Sequence, residues 1–214
     1  MRHRLSTCGA TGNRPETFER GMSSAVQPIP ENERSPFPDK GWRQVGIAFT
    51  MLGTAAAILL LMGRHPVCPC GTVSVWQWSR DPAENSQAFA DWYSLLHVVF
   101  GMALFAGVRR LRPHWSLPSV FLAVILGHSI WEVAENTPLI IGIFSGGANA
   151  PHYEGDSLLN SFGDTVFALG GAGLMPFLRW PAVALVVVAV EAAVTFGVGD
   201  GFVVGTLRLF GVDI

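Results

Sequence analysis

Charge is scarce in this chain. Only 14% of its 214 residues are Asp, Glu, Lys or Arg, where soluble domains carry roughly 25%. Seven of the fourteen basic residues and five of the sixteen acids precede residue 45, so the rest is poorer still. The net charge of −2 and the lack of a basic cluster exclude nucleic acid as a partner. Cysteine is nearly absent too: Cys8 stands alone, and Cys68-Pro69-Cys70 offers too few ligands for a closed zinc site and a spacing that strains a disulfide. A structural or incidental role is therefore expected for that pair. No Gly-x-Ser-x-Gly elbow is present, which argues against Ser157 or Ser161 as a nucleophile with His97 as base. The chain also lacks an internal repeat, which speaks against an alternating-access transporter.

Long apolar runs are what the chain does have. Hydrophobic residues make up 50%, and a helix needs about 20 of them to cross a bilayer. Five runs qualify, near 45–62, 93–109, 117–143, 157–177 and 181–198. In lipid each must be helical, because unsatisfied backbone groups are too costly there. The expected fold is all-α, a polytopic transmembrane bundle of about five spans. Basic residues alternate with span number: Lys40 and Arg43, then Arg109, Arg110 and Arg112, then Arg179 mark one side. The positive-inside rule then puts the N-terminus in the cytoplasm and the C-terminus outside. Residues 1–44 read as a disordered cytoplasmic tail, too polar to bury a core and too long for a signal-peptide n-region. Residues 45–214 form the membrane domain. Its outer loop, 63–92, carries Trp76, Trp78, Phe89 and Trp92, as suits the headgroup level. Pro138 predicts a break near Asn136, with 139–144 as an apolar cap or re-entrant piece.

Within these runs lie polar residues that cost about 2.5–3.5 kcal/mol each to insert when charged. Asp91, Ser94, His97 and Gly101 make one helical stripe; His128, Glu132 and Glu135, with Asn136 alongside, make another. Asp156, Asn160 and Asp164 follow an i, i+4, i+8 ridge after Tyr153. Glu191 sits roughly 13 Å below Asp200 by the helical rise. With the orientation above, most of these groups share the outer half of the bilayer. Taken singly, Ser94, Ser161, Thr165 and His128 read as interhelical hydrogen-bonding groups, and Asp91, Glu154 and Asp156 as either solvated loop ends or site residues. Glu132, Glu135 and Asp164 would repel one another unless protonated, hydrogen-bonded or bound to a cation. His97, Glu132, Glu135, Asp156 and Asp164 are accordingly the expected ligands of a divalent metal ion, with His97, Glu132, Glu135 and Asp164 as catalytic groups. Asp91, Ser94, Asn136, Tyr153 and Asn160 support them. Oxygen ligands with one imidazole suit Mg²⁺, Mn²⁺ or Zn²⁺ alike. Gly170, Gly171 and Gly173 are read as permitting close helix packing.

Three motifs, Asp91-Trp92-Tyr93-Ser94-x-x-His97, Trp131-Glu132-x-x-Glu135-Asn136 and Tyr153-x-Gly155-Asp156-Ser157-x-x-Asn160-Ser161-x-Gly163-Asp164, together resemble a family of bacterial inner-membrane proteins of unknown function. The resemblance covers about residues 45–200. The order of histidine, acidic and Asp/Asn/Gly helices is also similar to VanZ-like membrane proteins, though the acidic pair and loop lengths differ. These likenesses imply an inner-membrane location, a shared bundle and a cell-envelope role, and bring no activity with them. Three functions stay open: a metal-dependent site acting on a lipid-linked or envelope substrate, a polar centre that fixes assembly, and proton- or ion-coupled transport.

Overall fold

A computed structural model describes residues 34–37, 40–78, 84–145 and 152–212. Most of the expected tail, with Cys8, and Arg80 lie outside the described residues. Among those described there are seven α-helices: α1 (Gly41–Leu61), α2 (Ser94–Leu111), α3 (Leu117–Glu135), α4 (Pro138–Ser145), α5 (Leu158–Leu174), α6 (Trp180–Val198) and α7 (Phe202–Leu209). Four of them, α1, α2, α3 and α6, are long and apolar enough to cross a membrane. Their outward faces carry exposed large apolar side chains, among them Phe49, Leu61, Leu185, Val188 and Phe196.

Local chemistry sets the boundaries. Pro118 and Pro181 sit in the first turns of α3 and α6, where their missing N–H costs nothing. Ser157 caps α5 by accepting a bond from the Asn160 N–H at 3.2 Å. Arg109 and Arg110 in the last turn of α2 oppose the negative end of its dipole. The third run is interrupted where Pro138 foretells it: α3 stops at Glu135 and the eight-residue α4 follows. α7 was not anticipated. Gly199 terminates α6 at φ 74°, and the chain then turns back, so that the Glu191 carboxylate accepts from the Phe202 and Val203 N–H groups at 2.9 and 3.0 Å and caps α7. The axial separation read along one continuous helix fails because of this reversal.

α2 is the hub, packed on α5, α3 and α6, while α1 lies against α3 and α4 against α7. At one end Phe37 meets Trp115 edge-on at 6.0 Å, and Phe105, Val120, Val124 and Ala172 form an apolar core with Trp115 and Met175 packed on it. The opposite end holds the polar groups. There the loop after α1 is stitched to the start of α5: the Ser157 N–H donates to the Ser86 carbonyl at 3.1 Å, the Leu158 N–H to the His65 carbonyl at 2.9 Å, and the Asn160 side-chain amide to the Ala88 carbonyl at 3.0 Å. These bonds satisfy a loop backbone that would otherwise be buried without partners. Cys68 and Cys70 in this loop are disulfide-bonded.

Candidate functional site

The two stripes on α2 and α3 meet. His97 and His128 face each other with Nδ1 and Nε2 2.8 Å apart, and Glu132 Oε1 lies 3.8 Å from His97 Nδ1 and 3.4 Å from His128 Nε2. The three ligand atoms all fall within 4.8 Å of one another. On the far side of the His97 ring, Nε2 is 3.7 Å from Asp164 Oδ2 on α5. All four residues are buried. Yet neither Glu132 oxygen has a hydrogen-bond partner of good geometry, and neither has Asp164 Oδ1.

The hydrogen bonds constrain the protons. Thr165 Oγ1 donates to the Ser161 carbonyl at 2.9 Å, so towards His128 Nδ1, 3.3 Å away, it can only accept. Nδ1 of His128 therefore carries the proton in the neutral ring, and Nε2 turns a lone pair towards His97 and Glu132. If His97 Nδ1 answers with its own proton, Nε2 of His97 faces Asp164 as a second lone pair, which requires a protonated Asp164. If instead His97 holds its proton on Nε2 beside Asp164, two imidazole lone pairs and a carboxylate converge on one point. That arrangement calls for a cation, with Asp164 and Thr165 orienting the rings as outer partners do in metal sites.

The remaining anticipated residues have other duties. Asp91 and Ser94 cap α2 reciprocally, the Ser94 N–H donating to Asp91 Oδ1 and the Asp91 N–H to Ser94 Oγ, each at 3.0 Å. Burial pushes the Asp91 carboxyl up, against the pull of the bonds from Ser94. Asp156 lies in the segment before α5 rather than on its ridge. Asn136 clamps it, donating from Nδ2 to Asp156 Oδ2 at 2.7 Å and accepting from the Asp156 N–H at 2.8 Å. The Tyr153 hydroxyl donates to Oδ1 at 3.0 Å. Asn160 holds the loop. Glu135 stands apart from the His97–His128–Glu132 cluster and lines a cavity of about 240 Å³ that His97, Asp156 and Asp164 also border. His128 is the residue whose place sequence reasoning undervalued: its i, i+4 spacing to Glu132 was legible, but the partner that makes it more than a helix contact is His97, 31 positions away.

Burial is the main cause that pushes the Asp156 carboxyl up to about 6, while the bonds from Asn136 and Tyr153 hold it down. Its folded value is raised above the ordinary 3.8, so the stabilisation it contributes is complete below that value and is lost as pH rises through about 6. Tyr153→Phe removes one of the restraining bonds and is expected to raise the carboxyl further. Infrared titration of the carboxyl band, assigned with Asp156→Asn, reads this; an unchanged or lowered midpoint contradicts it.

Membrane-length apolar helices around a buried histidine and carboxylate centre define the class, a helical bundle of membrane type with a polar core at one end. Within that class the chain belongs to the family described as "Protein of unknown function (DUF2585)", which matches residues 59–212 and so spans all three motifs. It is similar to a UPF0314 protein of Sphingopyxis alaskensis, 37% identical over 170 residues covering 79% of this chain and 88% of the relative. A UPF0314 protein of Novosphingobium aromaticivorans is 35% identical, covering 80% and 88%, and one of Paracoccus denitrificans 35% identical, covering 75% and 83%. No solved structure matches.

Proposed function

We propose that this chain is a multi-pass inner-membrane protein whose His97, His128 and Glu132 bind one divalent metal ion at an outward-facing site acting on a cell-envelope or lipid-linked substrate. α1, α2, α3, α5 and α6 supply five spans, with the N-terminus inside and the C-terminus outside. The grouping of Lys40, Arg43, Arg109, Arg110, Arg112 and Arg179 at the end away from the histidines supports this orientation. The convergence of two imidazole nitrogens and one carboxylate oxygen within 4.8 Å, buried, carries the reading. Two His and one carboxylate with a position left open is the ligand set of catalytic zinc and of non-haem iron sites. On this reading the ligands are His97, His128 and Glu132, with Asp164 standing behind His97; Glu135 and Asp156, also expected as ligands, are not among the three. The likeness in motif order to VanZ-like proteins supports the envelope role.

Metal analysis of the purified full chain tests this. About one equivalent is expected for the wild type and a loss of tenfold or more in Glu132→Gln and His128→Gln; Asp164→Asn should bind 10–100-fold more weakly, as outer-partner changes do. Negligible metal in the wild type after reconstitution with zinc, iron or manganese removes the proposal. The direct His97–His128 contact at 2.8 Å favours a second reading, a polar centre that only fixes helix register. On that reading His128→Gln lowers protein abundance and function together, whereas the metal reading has function vanish while folded protein persists.

A further inference from the structure

The cavity beside the histidines has a composition of its own. Glu135, Asp156, Asp164 and Asp200 all border it, and no lysine or arginine among the described residues does. Asp200 is paired with Arg208 at 2.6 Å, and Asp156 is held by Asn136 and Tyr153. Asp164, only 4% exposed, lines the space and has one carboxylate oxygen without a hydrogen-bond partner, and Glu135 lines it too. Six aromatic residues, Tyr93, Phe100, Trp131, Phe144, Tyr153 and Phe202, line it as well, together with the polar Asn85, Ser86 and Thr206. Phe100 and Trp131 lie with ring centres 5.6 Å apart. Leu96 and Leu209 complete the apolar side.

Each ligand class meets this wall differently. An anion finds carboxylates and no opposing cation. A hydrated or hard metal ion seeks oxygen on all sides and gains little from the rings. A neutral apolar molecule leaves the buried carboxylates uncompensated. An alkylated ammonium satisfies both halves, its charge facing the acids and its carbon surface lying on the ring faces. At about 240 Å³ the space is smaller than the roughly 300–1,000 Å³ of pockets for drug-sized ligands, which fits a headgroup rather than a whole amphiphile.

We infer that this cavity is a binding site for an organic ammonium group, with Glu135 and Asp164 as its counter-charges and the Phe100, Trp131 and Phe144 rings as its cage. The site goes beyond the metal reading: Glu135 and the rings take no part in the His97–His128–Glu132 cluster, and Asp164, which stands behind His97, is the one residue the two share. α4 and α7, which bring Phe144 and Phe202 to the wall and pack on each other, form its far side. Two sources share the chemistry: a free amine and an ammonium-bearing lipid.

The test is calorimetric titration of the full chain in phosphatidylglycerol nanodiscs, with empty discs subtracted. The probe is butyltrimethylammonium, and the uncharged 3,3-dimethylbutan-1-ol serves as control. The ammonium should bind at least tenfold more tightly than the alcohol, and Glu135→Gln should weaken it fivefold or more while leaving metal content at the wild-type level. If Glu135→Gln fails to fold, Phe144→Leu, which removes a ring at similar bulk, should weaken binding severalfold. Discs containing phosphatidylcholine separate the sources: loss of ammonium binding there assigns the site to a lipid headgroup, and unchanged binding assigns it to a free amine. Equal affinity for ammonium and alcohol, or affinity untouched by the folded variant, overturns the inference. Metal loss in Glu132→Gln with ammonium binding intact would leave both proposals standing, and absence of metal from the wild type would sink only the first.

Discussion

Asp200→Asn is expected to destabilise the protein by about 3–5 kcal/mol, the usual consequence of removing one partner from a buried ion pair. Asp200 Oδ2 accepts from Arg208 Nη1 at 2.6 Å, with both side chains almost wholly buried. The amide keeps the short bond from the Gly201 N–H to Oδ1, 2.7 Å in the wild type, so the variant changes the charge and little else. What remains is a buried guanidinium, whose Nε already lacks a partner. Arg208→Met should cost less, because Asp200 retains Gly201 and the Tyr93 hydroxyl at 3.4 Å. The pair Asp200→Asn with Arg208→Met should recover most of the loss, as apolar replacement of buried pairs does elsewhere. Unfolding in a neutral detergent, followed by tryptophan fluorescence, measures all three. A single variant within 1 kcal/mol of the wild type would show that α7 is not held by this pair.

How much of this was legible beforehand depends on the range of the interaction. The apolar runs gave α1, α2, α3, α5 and α6 to within a few residues, and Pro138 gave the break before α4, because each signal is local. The stripes carrying His97 and Glu132 were legible for the same reason. Which faces meet was not. The roles of His128 and Asn136 depend on residues of other helices and loops, His97 and Thr165 for one, Asp156 for the other. α7 escaped because the fifth run was read as ending at 198, and the eight-residue helix that follows Gly199 is too short to stand out as a run of its own. Asp91, read as either a loop end or a supporting residue, caps α2 through Ser94, a partner three positions on in its own motif.

The glycines show most plainly where a sequence pattern stops short. Gly170 and Gly173 have open space where a Cβ would point, but at Gly171 a methyl group would overlap the Val98 carbonyl, and at Gly101 that of Ala168. The contact is reciprocal: each helix presents a glycine to the backbone of the other, with Ala168 and Ala172 fully buried in the seam. Backbone cannot swing aside as a side chain can, so Gly171→Ala must separate α2 from α5. Overpacking costs about 1–3 kcal/mol where side chains can adjust, and the upper part of that range or more is expected here. The consequence reaches the site, since His97 rides on α2 and Asp164 on α5, 3.7 Å apart. Gly171→Ala should therefore lower both the unfolding midpoint and the metal content, while Gly170→Ala, one residue away with nothing to meet, should leave both within about 0.5 kcal/mol or its equivalent in affinity. Equal effects from the two substitutions would mean that helix propensity, and not the closeness of α2 and α5, sets the outcome.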